Sequence, residues 1–233
     1  MASNRIEQIE TFVRQTMDDV ADVNLKIAHD LKHVDRVRRW ALAIADGEGW
    51  SDLEMLEAAA LLHDIGLAHV QQRDQHAQAG AEVAAQFLQT QQLFSEKENE
   101  AIVDAVRDHN ALGDLKPLAT IVRDADILDM LGAVGVMRAF TSKYTKPEYD
   151  PQNVKGETWQ MTARDVDRRF AEGKGVGHTI VDQINFQASC HGNLRTETAK
   201  QIAAPLVAFM RAFLVQLDSE VGMGVDSQDA CDP

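Results

Sequence analysis

The chain has 233 residues, with 23 Lys or Arg against 37 Asp or Glu, for a formal net charge of −14. Such a length suits one ordinary domain that buries its own core without disulfide or structural-zinc staples. The negative surface field repels a DNA or RNA backbone, which argues against a nucleic-acid polymer as partner. A small anionic ligand stays open wherever Lys and Arg gather around a bound cation.

Helix formers dominate, aromatics and prolines are few, and no succession of β-branched runs suggests a sheet, so the expected class is all-α. Ile6, Ile9, Phe12, Val13, Met17 and Val20 recur at helical spacing and predict a first helix over about 5–20. A second is expected over about 30–46, with Asp30 as its N-cap, His33 in its first turn and Gly47 and Gly49 ending it. Ser51 reads as the N-cap of a mostly buried helix through Leu53, Leu56 and Ala59–Leu62 that ends at His63 and Asp64. Helices follow over about 76–90, over 95–109 with a Ser95/Glu98 capping box, and over 117–140 starting at Pro117.

Residues 141–177 carry Pro147, Pro151, Gly156 and the GKGVG run, and read as a long, lid-like loop with one short helix near 162–171. Its Lys143 and Lys146 are candidate contacts to an anionic ligand. Helices over about 178–190 and 196–218 close a single domain spanning 1–220, and 221–233 is expected to be a flexible tail. Cys190 and Cys231 have no CxxC spacing, the N-terminus lacks the apolar core of a signal peptide, and no segment approaches the roughly 20 apolar residues that span a bilayer. The expectation is a cytoplasmic protein with no membrane partner.

Chemistry concentrates in three phrases. LLHDIG sets His63 and Asp64 side by side at the end of an apolar helix, where buried polar groups need partners that a cation would supply. By themselves the two residues could be no more than a helix end, with His63 favoured by the dipole. HVDRV puts His33 in a helical first turn with Arg36 on the same face, and RDADILD sets Asp126 inside an apolar run with Asp129 three residues on. Asp129 orients a ligand, binds a sugar hydroxyl or makes a plain helix salt bridge. His76 and His109 stand at helix ends, and spacing alone leaves them as second-metal ligands, phosphate contacts or caps. His29 lies just outside the Asp30 cap and is a candidate substrate contact, whereas His69, His178 and His191 have no second candidate ligand at ligand spacing.

The order His33, His63-Asp64, Asp126 resembles the H...HD...D pattern of the HD superfamily of metal-dependent phosphohydrolases. Further phrases, HAQAGAEVAAQFL, IVRDADILDMLGAVGVMRAF and NLRTETAKQIAAPLVAFMRAFL, are similar to the small stand-alone bacterial members, and the resemblance covers most of 25–215. It implies a helical HD bundle in which His33, His63, Asp64 and Asp126 hold a divalent ion, with Asp64 also orienting or deprotonating the attacking water. Two imidazoles and two carboxylates suit Mn, Fe, Co, Ni or Zn better than Mg. The expected reaction is hydrolysis of a small phosphate ester or anhydride, a nucleotide or similar, by a metal-activated water, with Arg36, Lys143 and Lys146 meeting the phosphoryl charge. Gly66, Leu67 and Ala68 stand where alarmone hydrolases of this superfamily carry an acidic pair, which argues against that substrate. The alternatives are a di-iron oxygenase using His76 and His109, and a non-enzymatic sensor that retains the metal site.

Overall fold

The computed structural model describes residues 3–18, 29–111 and 113–223. Among them are ten α-helices and no strand, only a lone bridge between Asp150 and Asn153, so the class is all-α as expected. The helices are α1 (Asn4–Asp18), α2 (Leu31–Glu48), α3 (Leu53–Leu62), α4 (His76–Gln91), α5 (Glu96–Asp108), α6 (Pro117–Asp129), α7 (Gly132–Ser142), α8 (Ala163–Ala171), α9 (Ile180–Ser189) and α10 (Glu197–Met223). Val20, expected in the first helix, lies outside the described residues. The helices group into two compact units. One runs to Asp129 and includes Arg195–Ala199; the other runs from Met130 to Leu194 and from Lys200 onward.

In the first unit α3 is apolar nearly all round, and a helix of that kind must be enclosed by others. It accordingly touches α1, α2, α5 and α6, and Leu56, Leu61 and Leu62 are fully buried. Truncating one of these leucines to Ala would cost about 2–5 kcal/mol. Asp30 caps α2 by accepting from the His33 amide at 3.0 Å, and Gly49, at φ 68°, closes its far end on the Ala45 and Asp46 carbonyls. Arg38 reaches Glu10 and Glu57, pinning α2 to α1 and α3. The Ser95/Glu98 capping box opens α5 as expected.

Two boundaries differ from the sequence reading. Ser51 does not cap α3; Asp52 takes the cap position, with no side-chain cap bond. The expected helix over 117–140 is two helices, because Leu131 is extended and Gly132 turns left-handed at φ 67°. Periodic apolar residues continue on both sides of that break, so the pattern alone hides it.

In the second unit α9 is buried on almost every side and packs on α7 and α8. Its Asp182 carboxylate accepts from the amides of Thr158, His178 and Thr179 and from the Thr158 and Thr179 hydroxyls, at 2.9–3.3 Å. The long loop is thus folded around one buried carboxylate, and Lys146 clasps it further by donating to the Gly177 carbonyl. Helix α10 extends past the expected end at 218 to Met223. Residues 224–233, most of the expected tail, and Cys231 with them, lie outside the described residues. Over Glu197–Gly222 α10 is long and apolar enough to cross a membrane by length and composition, which corrects the expectation that no segment is. Core helices of soluble proteins meet the same criterion.

Candidate metal centre

The site lies entirely within the first unit and is built from helix ends. His63 follows the last residue of α3, and its Nδ1 meets the Ala60 carbonyl at 2.7 Å. His109 follows α5 and reaches the Val106 carbonyl at 2.7 Å, and His76, opening α4, reaches the Arg73 carbonyl. A carbonyl oxygen only accepts, so each of these rings carries its proton on Nδ1 and presents a bare lone pair at Nε2. His33 is held in the same sense, its Nδ1 donating to the Asp129 carboxylate at 2.7 Å.

Those Nε2 atoms converge in pairs, His33 on His63 and His76 on His109, each at 3.2 Å. Two lone pairs facing each other at that distance repel unless a positive charge lies between them. Asp64 stands between the pairs. Its Oδ2 is 3.3 Å from His33 Nε2 and 3.4 Å from His63 Nε2, while its Oδ1 is 3.3 Å from His76 Nε2 and 3.9 Å from His109 Nε2. Asp126 joins the first pair, with Oδ1 3.4 Å from His33 Nε2. The donors therefore form two clusters, His33, His63 and Asp126 on one side and His76 and His109 on the other, with one Asp64 oxygen turned to each.

The electrostatics follow the same division. Desolvation opposes charge on buried His63, but the neighbouring Asp64 and then Asp126 outweigh it and push the imidazole up to about 9. Desolvation, reinforced by the charge on His63, pulls His109 down to about 4. His76 moves up, against desolvation, through its contact with Asp64. Asp64 is buried too, yet His63 and His29 hold it well below the usual carboxylate range. Without metal, then, His63 holds a proton near neutrality and His109 does not. Two pairs of imidazole nitrogens, each closing at 3.2 Å beside one oxygen of an ionised Asp64, suit a divalent cation, so the donor set fits the metal that the sequence implied.

The surroundings fix this arrangement. Asp129 binds His33 and also takes Arg36 in a two-pronged pair, at 2.6 Å to Nε and 3.0 Å to Nη2. Asp129 thus orients a ring of the cluster, and it holds Arg36 through Nε and Nη2. His29 donates from Nδ1 to Asp64 Oδ2 at 2.6 Å, so it too buttresses the carboxylate. Its Nε2 is buried and unpartnered among the described residues, and desolvation lowers its pKa to about 4. Gly66, in the turn Ile65–His69, lies directly against the start of α4: a Cβ there would overlap the His76 carbonyl and the Gly80 backbone. That backbone contact brings His76 to Asp64. Buried Asp124, which no local pattern singles out, accepts from the Arg195 and Thr196 amides and the Thr196 hydroxyl, anchoring that stretch of chain two residues from Asp126.

All of the expected histidine and aspartate ligands are therefore gathered, together with His76 and His109, whose convergence spacing could not show. Lys143 and Lys146 belong to the second unit, the latter engaged by Gly177. Asp126 is the most open member: its side chain keeps 23% of its exposure where His33, His63 and Asp64 keep 2% or less.

A helical unit that presents H...HD...D donors on one centre defines an HD-domain protein, and the HD domain family matches residues 30–131. The chain is 30% identical to the uncharacterized protein YpgQ of Bacillus subtilis, over 95% of this chain and 96% of that protein, and it belongs to the HD-domain family. A crystal structure of YpgQ in complex with ADP superposes with a TM-score of 0.63 and 23% identity, covering 93% of this chain and 94% of that one. A protein from Lactobacillus plantarum superposes with a TM-score of 0.65 and 26% identity, covering 94% and 97%. A predicted HD superfamily hydrolase from an uncultured Thermotogales bacterium does so at 0.61 and 26%, covering 92% and 91%.

Proposed function

We propose that the protein is a metal-dependent phosphohydrolase acting on a nucleotide or a similar small phosphate ester or anhydride. The observation that carries this reading is the placing of Asp64 between two imidazole pairs, each closing on a point that demands positive charge. His33, His63, Asp64 and Asp126 would hold one divalent ion, and Asp64, His76 and His109 a second. Divalent ions held there lower the pKa of water toward about 7 and neutralise phosphoryl charge.

The chain's own residues do the rest. Asp64 and His63 lie too deep to meet bulk water, so the dielectric around the reacting atoms is low and charges there act strongly. Asp126, at the open edge, has a carboxylate placed to orient a water or pass on a proton as the substrate enters. His29 keeps Asp64 ionised by donating to it, and its own bare Nε2 offers an acceptor to a substrate hydroxyl. A nucleotide is favoured because the relative YpgQ was crystallised with ADP.

The test is a screen of nucleoside mono-, di- and triphosphates against protein loaded with Mn, Fe, Co, Ni, Zn or Mg, counting phosphate and pyrophosphate released and metal bound per chain. Hydrolysis that disappears in Asp64→Ala is expected. No hydrolysis of any nucleotide by metal-loaded protein would reject the reading. The double cluster also suits two irons, so oxygen uptake by iron-loaded protein without phosphate release would favour an oxygenase.

A further inference from the structure

The stretch Arg195–Ala199, which leads into α10 and belongs to the first unit, grips segments that carry the metal donors. Asp124 is fully buried on α6, and a buried carboxylate is tolerated only where donors surround it. Its donors are the Arg195 amide at 3.0 Å, and the Thr196 amide and hydroxyl, both at 2.7 Å. The same hydroxyl accepts the Ala199 amide at 3.3 Å, so it caps the first turn of α10 while giving its proton to α6. Two residues on, the Thr198 amide donates to Glu48 Oε1 at 2.8 Å, and the Thr198 side chain fills the space that a Cβ on Gly47 would take. Arg195 Nη2 donates to the Gly113 carbonyl, in the connection between α5 and α6.

Helices α2 and α6 are thus tied together twice. His33 and Arg36 at the start of α2 meet Asp129 at the end of α6, while Arg195–Ala199 holds the last residues of α2 and the middle of α6. At 3.6 residues per turn Asp126 and Asp129 stand about 200° and 140° round α6 from Asp124, so the clamped carboxylate lies on the side of the helix turned away from the centre. We infer that Arg195–Ala199 is a brace that sets the rotation of α6, and that Asp124 and Thr196 are positioning residues for Asp126 and Asp129. The inference rests on the reading that the clustered donors hold a divalent ion.

Small movements matter here. A turn of α6 by about 10° carries a carboxylate oxygen, about 6 Å from the helix axis, through about 1 Å, whereas metal–ligand distances hold to about 0.2 Å. Asp126 is the least enclosed of the donors, so its place depends on the helix more than on packing around its own side chain. The brace cannot slide without stripping donors from a buried charge, which makes its grip on α6 stiff. His76 opens α4 and His109 follows α5, so their site does not ride on α6.

Calorimetric titration of the full, metal-free chain with Zn2+ or Mn2+ tests the brace. Thr196→Val keeps the shape of the side chain and both amide bonds to Asp124 but removes the hydroxyl. It should weaken the His33–His63 site about tenfold and leave the His76–His109 site within about twofold of the unsubstituted chain. Thr196→Ser returns the hydroxyl and should restore the affinity. Ile9→Val loosens the same unit from α1 and should move neither site, which separates the brace from a general loss of stability. Three results would each overturn the inference: unchanged affinity in Thr196→Val, equal weakening of both sites, or failure of Thr196→Ser to restore the His33–His63 site. No substrate is present, so a chain that hydrolyses nothing gives the same titration, and the proposed function fails separately.

Discussion

Replacing Asp129 by Asn keeps the shape of the side chain and removes its charge, and the geometry of its partners fixes the consequence. One carboxylate oxygen accepts from both His33 Nδ1 and Arg36 Nη2, and the other accepts from Arg36 Nε. An Asn amide has a single acceptor oxygen and an NH2 group that must face one of these donors. Turned to His33, it forces the ring proton from Nδ1 to Nε2, the atom aimed at the cluster. Turned to Arg36, it leaves a guanidinium with half of its pairing gone. Loss of one partner of a fully buried pair costs about 3–5 kcal/mol. Because the Arg36 side chain is 26% exposed, water recovers part of that, and about 2 kcal/mol of metal-free stability is the expected loss. Removing the group that orients a ligand typically lowers metal affinity about 10–100-fold, the result expected for the His33–His63 site. Calorimetric titration of metal-free protein with Mn2+ or Zn2+ reads both sites, and the His76–His109 site, which Asp129 does not touch, should be unchanged. A chain that loses stability but binds metal as before would show that Asp129 serves Arg36 alone. Unchanged stability and affinity would refute the reasoning altogether.

Three further outcomes are expected. Gly66→Ala should lose bound metal at the His76–His109 site before the other, and should unfold more readily, because its methyl forces apart the backbone contact that positions His76; metal analysis and thermal melting check this. His76→Ala combined with His109→Ala should halve the metal content of loaded protein while leaving the His33–His63 site occupied, as read by elemental analysis. Metal-free protein should weaken on both sides of neutrality. His29 and His109, depressed from 6.5 to about 4, stay neutral in the fold but bind protons once unfolded, so their contribution falls as pH drops from about 6.5 toward 4. His63, raised to about 9, contributes fully below pH 6.5 and loses that contribution as pH rises through about 9. Denaturant melts across that range that showed no such maximum would contradict these shifts.

The helices and the four donors of the H...HD...D pattern were legible because each depends on a local pattern: the cap at Asp30, the apolar run ahead of His63, and the apolar positions around Asp126. What could not be read was any feature set by two segments meeting. Gly66 and Gly80 are visible as glycines, but nothing in the sequence says that their backbones touch and so deliver His76 to Asp64. Arg36 carried the charge expected of a phosphate contact, and only the approach of α6 to α2, bringing Asp129, reveals that its Nε and Nη2 pair with the carboxylate that orients His33.

The histidine tautomers lie between these two cases. His63, His76 and His109 each donate Nδ1 to the carbonyl three residues earlier, Ala60, Arg73 and Val106. The Ala60 and Val106 carbonyls lie in the last turn of their helices, where a carbonyl has lost its partner within the helix, so a histidine placed there finds an acceptor; the Arg73 carbonyl accepts from the His76 amide as well. The device is local, and it turns Nε2 away from the helix. His191 shows why it does not by itself make a site: it donates to Ala188 at 2.6 Å in the same way, yet belongs to no cluster of donors among the described residues. A fixed tautomer is therefore a property of the helix end, while a metal centre requires that several such ends be aimed at one carboxylate. In this chain the first is encoded residue by residue, and the second only by the packing around α3 and the glycine contact beneath α4.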